Sequence, residues 1–403
     1  MVSVSSCQLS VQNGHIDELR RSRRFELETV NWQLTVPVIE MIASERAHML
    51  KTIAVIAASV LLTAPAYLSA QSGRGLTDVQ GIKVGHHTLT ERPTGCTVIL
   101  VDGDGAVGGV SQRGGAPGTR ETDLLDPSNM VDKVNAVVLA GGSAYGLDAA
   151  QGAVRFLEEH NMGWKVGVGV VPIVPAAILF DLPFGGKPQI RPTADCGYKA
   201  SQGATDGPVG EGNIGAGAGA TVGKMGMNRA MKSGLGSASI TMPNGLIVAA
   251  IVAVNAVGDI VDPSTGKTVA GVRSEDGKSL ADVRTLLRSG ALLKRPAPRP
   301  GENTTIGLVA TNARMTKAEI HRVAMMADDG FAKAITPSHT VGDGDTVFAL
   351  ATGRWDGEAN PTIIGALAAD VMAEAIVRAV VKAESSNGLP SAREIGSVPP
   401  RLK

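Results

Sequence analysis

Residues 303–311 read NTTIGLVAT, an Asn followed by a run of Thr and aliphatic residues. β-branched side chains dominate this run, which predicts a buried strand that begins at Thr304. Immediately before it, residues 294–303 read KRPAPRPGEN, where three Pro, one Gly and three cations favour an exposed, extended connector. The connector is either an ordinary loop or a cleavage site that would leave Thr304 at a new N-terminus.

A second short motif lies further along the chain. Residues 341–346 read VGDGDT and open the apolar run at 347–351. Asp343 and Asp345 are two carboxylates separated by one Gly, and a turn can direct both of them into one site. An Asx-rich turn without a chemical role has the same composition, so the motif alone leaves both interpretations open.

Apolar patterning along the rest of the chain predicts a layered α/β protein. Thr316 and Glu319 have the spacing of a capping box at a helix start, and the PNG sequence at 243–245 is a strong hairpin turn. Strand pairs separated by helices indicate sheets that are covered by helices on both outer faces. The expected strands are 94–101, 135–140, 237–242, 246–254, 304–311 and 346–352, and the expected helices are 143–160, 316–334 and 361–383.

The composition excludes several classes of protein. The 38 Lys and Arg residues balance the 38 Asp and Glu residues, which argues against nucleic acid as a partner, because phosphate binding needs a basic excess or patch. The 50 Gly residues and the 3% aromatic content indicate a core of small and aliphatic side chains. Cys7, Cys96 and Cys196 are too scattered for a disulfide scaffold or a CxxC zinc site. Whether Cys96 and Cys196 pair stays open, since the sequence does not show their Cα separation.

Three other patterns give no support to a cofactor or a metal. Gly103–Gly108 matches G-x-G-x-x-G after a strand, but no helical sequence follows, so a glycine-rich turn is the better interpretation. Gly141–Tyr145 resembles a nucleophile elbow without its final Gly, and Ser143 is interpreted as a helix cap. None of the five His residues after position 70 forms an H-x-x-x-H zinc motif. We therefore expect no cofactor and no metal.

The front of the chain has the pattern of an export signal. Met49–Ala70 contains a cation near its start, the apolar run Thr52–Leu62 and small residues at a cleavage site. The apolar run is short for a bilayer span, and a buried core helix is the alternative. We expect residues 1–48 to be a non-native extension ahead of a translation start at Met49. The mature chain would begin near Gln71, be periplasmic or secreted, and have no membrane segment.

Seven segments between about Gly75 and Ala383 form a recognisable set. The segments are TGCTVI (94–99), RGGAPGTRETD (113–123), LAGGSAYGL (139–147), GAGAGATVGK (215–224), VNAVG (254–258), NTTI (303–306) and DGDTVFA (343–349). The set is specific, although no single segment is. In content and order it resembles the family of self-cleaving amidohydrolases, which includes L-aminopeptidase/D-amidase-esterases, β-peptidyl aminopeptidases and endo-type 6-aminohexanoate-oligomer (nylon-oligomer) hydrolases.

The resemblance implies an α-β-β-α sandwich, in which two stacked sheets lie between helical layers. It also implies a precursor that cuts itself before its nucleophile. By match to the motif, Thr304 is the nucleophile and Asn303–Thr304 is the scissile bond, so an α chain (71–303) and a β chain (304–403) would form one hydrolase domain. The family forms closed multimers, and the Ala-rich helix expected at 361–383 has little polar cover. We therefore expect a homo-oligomer of αβ units.

The remaining site residues also come from the resemblance. Lys224, Asn255, Asp343 and Asp345 match the catalytic set of the nylon-oligomer branch, and Tyr145 matches a tyrosine of the aminopeptidase branch. The aminopeptidase branch has Ser at the position of Asp343 and Glu at that of Asp345. This departure leaves open whether the substrate is an α-peptide, a β-peptide, a D-amide or a nylon oligomer, and whether the enzyme acts on chain ends.

Elementary chemistry fits each assignment. A Thr hydroxyl is a weak nucleophile that needs a base, and an α-amino group freed by cleavage titrates near pH ~7.7–8, so Thr304 would supply both groups. Asp343 and Asp345 would hold the ammonium group and orient the hydroxyl. The amide of Asn255 and the cation of Lys224 suit the stabilisation of an oxyanion.

Each assignment also has a structural alternative. Lys224 could be a solvated surface cation, Asn255 a turn amide and Tyr145 a packing residue of a helix face. Thr305 is the rival nucleophile, although strand alternation directs it to the opposite face. For the whole protein, a self-processing amidohydrolase or peptidase that acts on small peptides or amides competes with an uncleaved binding protein or an acyltransferase on the same scaffold.

Overall fold

The computed structural model describes Gly73, residues 75–291 and residues 303–402, and the side chains of residues 226–228 are not described. The expected extension (1–48), signal peptide (49–70) and connector (294–302) lie outside the described residues. The described part includes Asn303, Thr304 and every other residue predicted to form the site.

The described residues form eighteen strands, β1 to β18, and six α-helices, α1 to α6. The strands are β1 (Ile82–Thr88), β2 (Gly95–Val101), β3 (Ala106–Gln112), β4 (Thr119–Arg120), β5 (Lys133–Val134), β6 (Ala136–Ala140), β7 (Trp164–Lys165), β8 (Val170–Val171), β9 (Ala176–Ile178), β10 (Thr221–Val222), β11 (Met231–Lys232), β12 (Leu235–Thr241), β13 (Ile247–Asn255), β14 (Asp259–Val261), β15 (Thr268–Ala270), β16 (Thr304–Thr311), β17 (Ile335–Thr336) and β18 (Thr346–Ala351). The helices are α1 (Ala149–Glu159), α2 (Ala194–Gln202), α3 (Val283–Arg288), α4 (Lys317–Ala334), α5 (Pro361–Val381) and α6 (Ala392–Ile395).

Two sheets carry the fold. The first has the strand order β1-β2-β6-β9-β4, and the second has the order β12-β13-β16-β18-β3-β5. Within the second sheet, β16 pairs antiparallel with β13 and parallel with β18, so it lies in the middle of the sheet. The strand that begins at Thr304 is therefore a central strand, and all of its residues are buried, as the sequence predicted.

The sheets and helices form four layers. Helices α4 and α5 pack on the outer face of the six-stranded sheet, and α1 and α2 pack on the outer face of the five-stranded sheet. A third apolar core lies between the two sheets. The α-β-β-α sandwich expected from the sequence is confirmed. Alternate side chains of β13 face the two cores. Those that face the helices are Val248, Ala250, Val252 and Val254. Those that face the other sheet are Ile247, Ala249, Ile251 and Ala253.

Glycine allows the helices to approach their neighbours closely, as the composition indicated. A Cβ atom added to Gly236 of β12 would lie 2.1 Å from the carbonyl oxygen of Ala375 in α5. At the crossing of α1 and α2, a Cβ atom on Gly197 would lie 1.8 Å from the carbonyl oxygen of Ala149. Both contacts need a residue without a side chain, because real Cβ atoms do not approach a backbone oxygen so closely.

Several predicted elements are confirmed within a residue or two. Strand β16 has the predicted bounds, and α4 begins after Thr316, whose side chain and that of Glu319 form the capping box. Gly103 and Gly105 lie in a turn with positive φ, and strand β3, not a helix, follows them. This excludes the helix that a dinucleotide fingerprint would need.

Two predictions need correction. The helix expected at 143–160 is a 3-10 segment over Ser143–Asp148 followed by α1, and Ser143 does not cap it, because its φ of 56° puts it in the left-handed region. The Ala-rich α5 lacks polar cover because most of it is buried within this chain, against the six-stranded sheet and beside α4. Its composition therefore gives no argument for an oligomer. None of the described helices combines the length and the hydropathy needed to cross a membrane.

The structure pairs the two cysteines whose relation the sequence left open. Cys96 of β2 and Cys196 of α2 form a disulfide, with a Cα–Cα distance of 6.2 Å. Both residues are buried in the core between the five-stranded sheet and its helices. The bond therefore ties the outer helical layer to the first sheet across a sequence separation of 100 residues.

We predict that this disulfide stabilises the fold measurably. A crosslink over so long a loop restricts the unfolded chain, and its loss is expected to lower the free energy of unfolding by about 2–4 kcal/mol. Chemical denaturation of a Cys96→Ala/Cys196→Ala double variant, compared with the oxidised and the reduced wild-type protein, measures this. Reduction should have no further effect on the double variant. Free thiols at both positions in the unfolded, oxidised wild-type protein would contradict the prediction.

Candidate active site

Thr304 lies at the first position of β16, next to the peptide bond that the resemblance marks for cleavage. Its hydroxyl lies 2.5 Å from the carbonyl oxygen of Asn303. The same oxygen accepts the backbone N–H of Gly344 at 2.9 Å. Asn303 and Thr304 are both buried in this uncut chain. The bond before Thr304 is thus enclosed, and its carbonyl group is polarised by a backbone donor.

The alternation of side chains along β16 places Thr304 and Thr305 on opposite faces of the sheet. Ile306, Leu308 and Ala310 face the core between the sheets, whereas Val309 faces the helices. Thr304 therefore belongs to the inter-sheet face, and Thr305 belongs to the helical face. The side-chain oxygen of Thr305 is buried and has no hydrogen-bond partner among the described residues.

The Asp343-Gly344-Asp345 turn lies directly against the start of β16. Asn303 and Asp343 form an isolated parallel bridge, and a Cβ atom on Gly344 would lie 2.8 Å from the Thr304 hydroxyl oxygen. Only glycine leaves room for that hydroxyl at this point of the turn. The middle Gly of the motif therefore brings the turn backbone into contact with Thr304.

The RGGA segment at 113–116 holds the turn in place. The backbone N–H groups of Arg113 and Gly114 lie 3.2 and 3.3 Å from the Asp345 carbonyl oxygen, and that of Ala116 lies 2.8 Å from the Asp343 carbonyl oxygen. A Cβ atom on Gly114 would lie 2.3 Å from the Asp345 nitrogen. The 113–116 segment and the Asp343-Gly344-Asp345 turn are far apart in the sequence. In the structure, backbone hydrogen bonds join them into one unit.

The two carboxylates of the turn have different partners. Asp345 accepts the backbone N–H of Thr305 at 2.8 Å, which fixes the turn to β16. Asp343 accepts the backbone N–H of Thr340 at 2.8 Å through Oδ2. Its other oxygen, Oδ1, is buried and has no hydrogen-bond partner in the described part of the chain. Asp343 therefore keeps an oxygen that can take a proton.

The electrostatic surroundings suit Asp343 for that task. Burial, and next the negative charge of Asp345, raise the pKa of Asp343 to about 6. The positive charge of Lys224 opposes this shift. A carboxyl group with a pKa close to neutral pH can accept a proton and give it back during one reaction.

Asn255 and Lys224 form the opposite wall. Asn255 ends β13 directly across from Thr304 in the β13–β16 register, so their Cβ atoms lie on the same face. The ammonium group of Lys224 donates to the Asn255 side-chain oxygen at 2.8 Å and to its carbonyl oxygen at 3.0 Å. The Asn255 side-chain nitrogen donates to the carbonyl oxygen of Phe180 at 2.8 Å.

The glycine-rich segment before Lys224 positions this pair. Gly223 has a φ of 74°, and a Cβ atom there would lie 2.2 Å from the Gly271 backbone, so the chain can turn there only with glycine. Thr221 then donates its backbone N–H to the Asn255 side-chain oxygen at 3.1 Å. Lys224 is half-buried and held in the site, so it is not a solvated surface cation.

Tyr145 stands apart from this cluster. It belongs to the 3-10 segment before α1, is 59% exposed, and has the Arg191 guanidinium 3.7 Å above its ring. Within the described residues its hydroxyl makes no hydrogen bond. The structure therefore brings together Asn303, Thr304, Lys224, Asn255, Asp343 and Asp345, but not Tyr145.

Sequence reasoning missed two residues at this site, His339 and Asp328. His339 Nδ1 lies 3.0 Å from Asp345 Oδ2, and its Nε2 lies 3.5 Å from Asp328 Oδ1. Neither residue lies in a recognisable motif, and only the packing of α4 against the turn brings them together. Among the described residues, no group of three or more His, Cys, Asp or Glu side chains is placed to hold a metal ion.

Comparison with known proteins identifies the family. The profile described as peptidase family S58 matches residues 74–393. The chain belongs to this family. It is 45% identical over 352 residues to an uncharacterised aminopeptidase of Mycobacterium leprae, covering 80% of this chain and 94% of that protein. It is 31% identical over 313 residues to a 6-aminohexanoate-oligomer endohydrolase of Kocuria, covering 75% of this chain and 84% of that protein.

Solved structures confirm the fold. A β-aminopeptidase from Burkholderia is similar with a TM-score of 0.58 and 22% identity, covering 82% of this chain and 93% of that one. An L-aminopeptidase D-Ala-esterase/amidase from Ochrobactrum anthropi, described as a variant of the Ntn-hydrolase fold, is similar with a TM-score of 0.59 and 20% identity, covering 81% and 95%. Together with the family, these relatives show that the S58 chain is an amidohydrolase or peptidase. They do not favour a non-hydrolytic binding protein or an acyltransferase.

The raised pKa of Asp343 predicts a pH-dependent stability. Because the folded pKa of about 6 lies above the usual value near 3.9, the folded protein loses stability as the pH rises from about 4 to 6. In an uncleavable Thr304→Ala chain, Asp343→Asn should therefore raise the thermal midpoint at pH 8 and have little effect at pH 4. The exposed Asp356→Asn serves as the control. An Asp343→Asn effect of equal size at both pH values would exclude this cause.

Proposed function

We propose that this S58 peptidase is a self-processing enzyme in which Thr304 becomes an N-terminal nucleophile after cleavage of the Asn303–Thr304 bond. One observation carries the proposal: the Thr304 hydroxyl lies beside a buried carbonyl group that already accepts the Gly344 N–H. The hydroxyl group is thereby held next to the carbonyl group that it would attack.

Self-cleavage needs a base other than the Thr304 nitrogen, which is an amide in the uncut chain. Asp343 is suited to this role because its Oδ1 has no hydrogen-bond partner among the described residues and its pKa is raised to about 6. The Thr304 hydroxyl oxygen would attack the Asn303 carbonyl carbon while its proton moves to Asp343. That proton would pass to the Thr304 nitrogen as the C–N bond breaks, and water would hydrolyse the resulting ester.

Cleavage creates the second base. The freed α-amino group of Thr304 titrates near ~7.7–8 in an ordinary setting, so it can take the hydroxyl proton when a substrate amide is attacked. The Asp343-Gly344-Asp345 turn lies against the start of β16, and its two carboxylates would hold the ammonium form of this group. The acyl-enzyme on Thr304 would then be released by water.

The opposite wall would stabilise the oxyanion. Asn255 has a second amide hydrogen besides the one given to Phe180, and Lys224 brings a positive charge to the same place. In a comparable hydrolase the loss of one such donor costs about 2.7–4 kcal/mol of transition-state stabilisation. Tyr145 would act further out, on the substrate, since it is exposed and outside the hydrogen-bonded cluster.

For the substrate we favour small peptides or amides with a free amino end. The support is the name of the relative that shares 45% identity, an aminopeptidase, whereas the oligoamide endohydrolase shares 31%. The second candidate, an endo-acting oligoamide hydrolase, is favoured by Asp343 and Asp345, which match that branch. The two candidates differ in whether they need the terminal ammonium group.

We also propose that the enzyme is exported and oligomeric. The Met49–Ala70 segment has the pattern of a signal peptide, and a disulfide such as Cys96–Cys196 persists in oxidising compartments. N-terminal sequencing of protein recovered from a periplasm should start near Gln71.

An exposed hairpin, β7–β8, presents Trp164 and Val168, which are 49% and 98% exposed, and would pack against another copy. Light scattering that shows a stable monomer at micromolar concentration would contradict this.

The nucleophile assignment predicts a specific set of cleavage patterns. Wild-type protein should run as two fragments on a denaturing gel, 71–303 and 304–403. Thr304→Ala should stay uncut and inactive, and Thr304→Ser should still be cut, because the hydroxyl remains. Thr305→Ala is the matched control one residue away, and it should be cut like the wild type. Normal cleavage of Thr304→Ala would move the nucleophile elsewhere.

The substrate assignment predicts a dependence on the free amino end. An amino-acid p-nitroanilide should be hydrolysed at least about tenfold faster than its N-acetylated form, which corresponds to about 1.4 kcal/mol of recognition. The same panel should include β-peptides and 6-aminohexanoate oligomers, with Thr304→Ala as the blank. Equal rates for free and acetylated substrates, with internal cleavage of the oligomers, would favour the endo-acting candidate instead.

A further inference from the structure

One histidine bridges two carboxylates beside the candidate site. Asp345 Oδ2 receives two contacts from His339, with Nδ1 of the ring and the backbone N–H both at 3.0 Å. On its other side, Nε2 of His339 lies 3.5 Å from Oδ1 of Asp328, a fully buried residue of α4. That oxygen has no hydrogen-bond partner within the described ranges, so the imidazole is the polar group that faces it. Both ring nitrogens therefore face carboxylate oxygens.

This geometry favours the charged imidazolium. A neutral imidazole can donate from only one nitrogen, whereas two facing carboxylates are served best when both nitrogens carry protons. Burial lowers the pKa of His339, but its hydrogen bond to Asp345 and the charges of Asp328 and Asp345 outweigh burial and raise that pKa above its usual value. Phe331 of α4 stacks on the ring with a centroid distance of 5.8 Å and holds its plane.

The remaining charged group near the ring is Arg113, just after the end of β3. Its Nε lies 3.3 Å from Oδ2 of Asp328, which also accepts the hydroxyl of Ser111 at 2.8 Å. The carboxylate of Asp328 therefore lies between the guanidinium group of Arg113 and the imidazole ring of His339. Burial raises the pKa of Asp328 to about 6, against the opposing charge of His339.

Asp345 connects His339 to the residues around Thr304. Asp345 accepts the Thr305 N–H, so it fixes the backbone next to the nucleophile. Its negative charge also raises the pKa of the candidate base Asp343. A positive charge on His339 offsets part of that negative charge.

We propose that His339 is a positioning residue for the Thr304 chemistry, which holds Asp345 against the start of β16 and, through its positive charge, favours the ionised form of Asp343. This inference rests on the proposed roles of Thr304 and Asp343. Without the positive charge of the imidazolium, nothing on His339 offsets the effect of the negative charge of Asp345 on neighbouring groups. Both bases near Thr304, the Asp343 carboxylate and the freed α-amino group, then bind protons more tightly and become available only at higher pH.

The chain allows a matched test. His339→Asn keeps a donor near the position of Nδ1, tolerates the φ of 54° found at this residue, and carries no charge. His339→Ala removes both the donor and the charge. The exposed His160 at the end of α1 provides the control variant His160→Asn. Each purified variant is assayed on an amino-acid p-nitroanilide from pH 4 to 9, and its cleaved fraction is read from a denaturing gel.

The acid limb of the pH profile should move upward by about half a pH unit or more in both His339→Asn and His339→Ala. His339→Ala should in addition lower kcat at all pH values, whereas His160→Asn should match the wild type. An unshifted acid limb in His339→Asn, or a uniform loss of activity without a shift, would overturn the inference. Cleavage of a Thr304→Ala chain on the same gel would instead overturn the proposed function itself.

A second measurement covers the case in which neither His339 variant folds. In the uncut Thr304→Ala chain, NMR titration of the His339 ring should give a pKa above the value of about 6.5 found for free histidine. Asp328→Asn in the same background should lower that pKa, because it removes one of the two facing carboxylates. A His339 ring that titrates at or below the free value would overturn the bridge.

Discussion

The hydrogen bond from the Gly344 N–H to the Asn303 carbonyl oxygen is the interaction on which the rest of the site depends. It exists because β16 lies in the middle of the six-stranded sheet, with the turn before β18 running parallel beside its first residue. The antiparallel pairing of β16 with β13 sets Asn255 across from Thr304 on the other side. The sheet register therefore brings together Thr304, the polarised carbonyl group of Asn303 and the side chain of Asn255.

Burying several carboxylates at one site is electrostatically unfavourable, and nearby basic side chains reduce this cost. Asp343, Asp345 and Asp328 are all buried near one strand end, where unpaired carboxylates are unfavourable. His339, Arg113 and Lys224 bring positive charge to the same place. The raised pKa values of Asp343 and Asp328 show that compensation is incomplete. The proposed role of Asp343 as a base depends on this raised pKa.

Much of this could be predicted from the sequence, for identifiable reasons. Strand β16 and the cap of α4 follow from local patterns, and the motif match placed Thr304, Asn255, Lys224 and the two aspartates. Ser143 was misjudged because a left-handed φ is not visible in a capping pattern. His339 and Asp328 were missed because their meeting depends on how α4 packs against a distant turn. Tyr145 was named from the resemblance, yet it lies outside the hydrogen-bonded cluster and faces solvent.

We propose above all that the Asn303–Thr304 bond is broken by Thr304 itself. Intact-mass measurement and N-terminal sequencing of the shorter chain in purified wild-type protein test this most directly. Self-cleavage should give a chain that starts with an unmodified Thr304 and ends at Lys403, with a free α-amino group. A shorter chain that starts at Thr305 or at another residue, or an active enzyme that contains only the uncut chain, would contradict it.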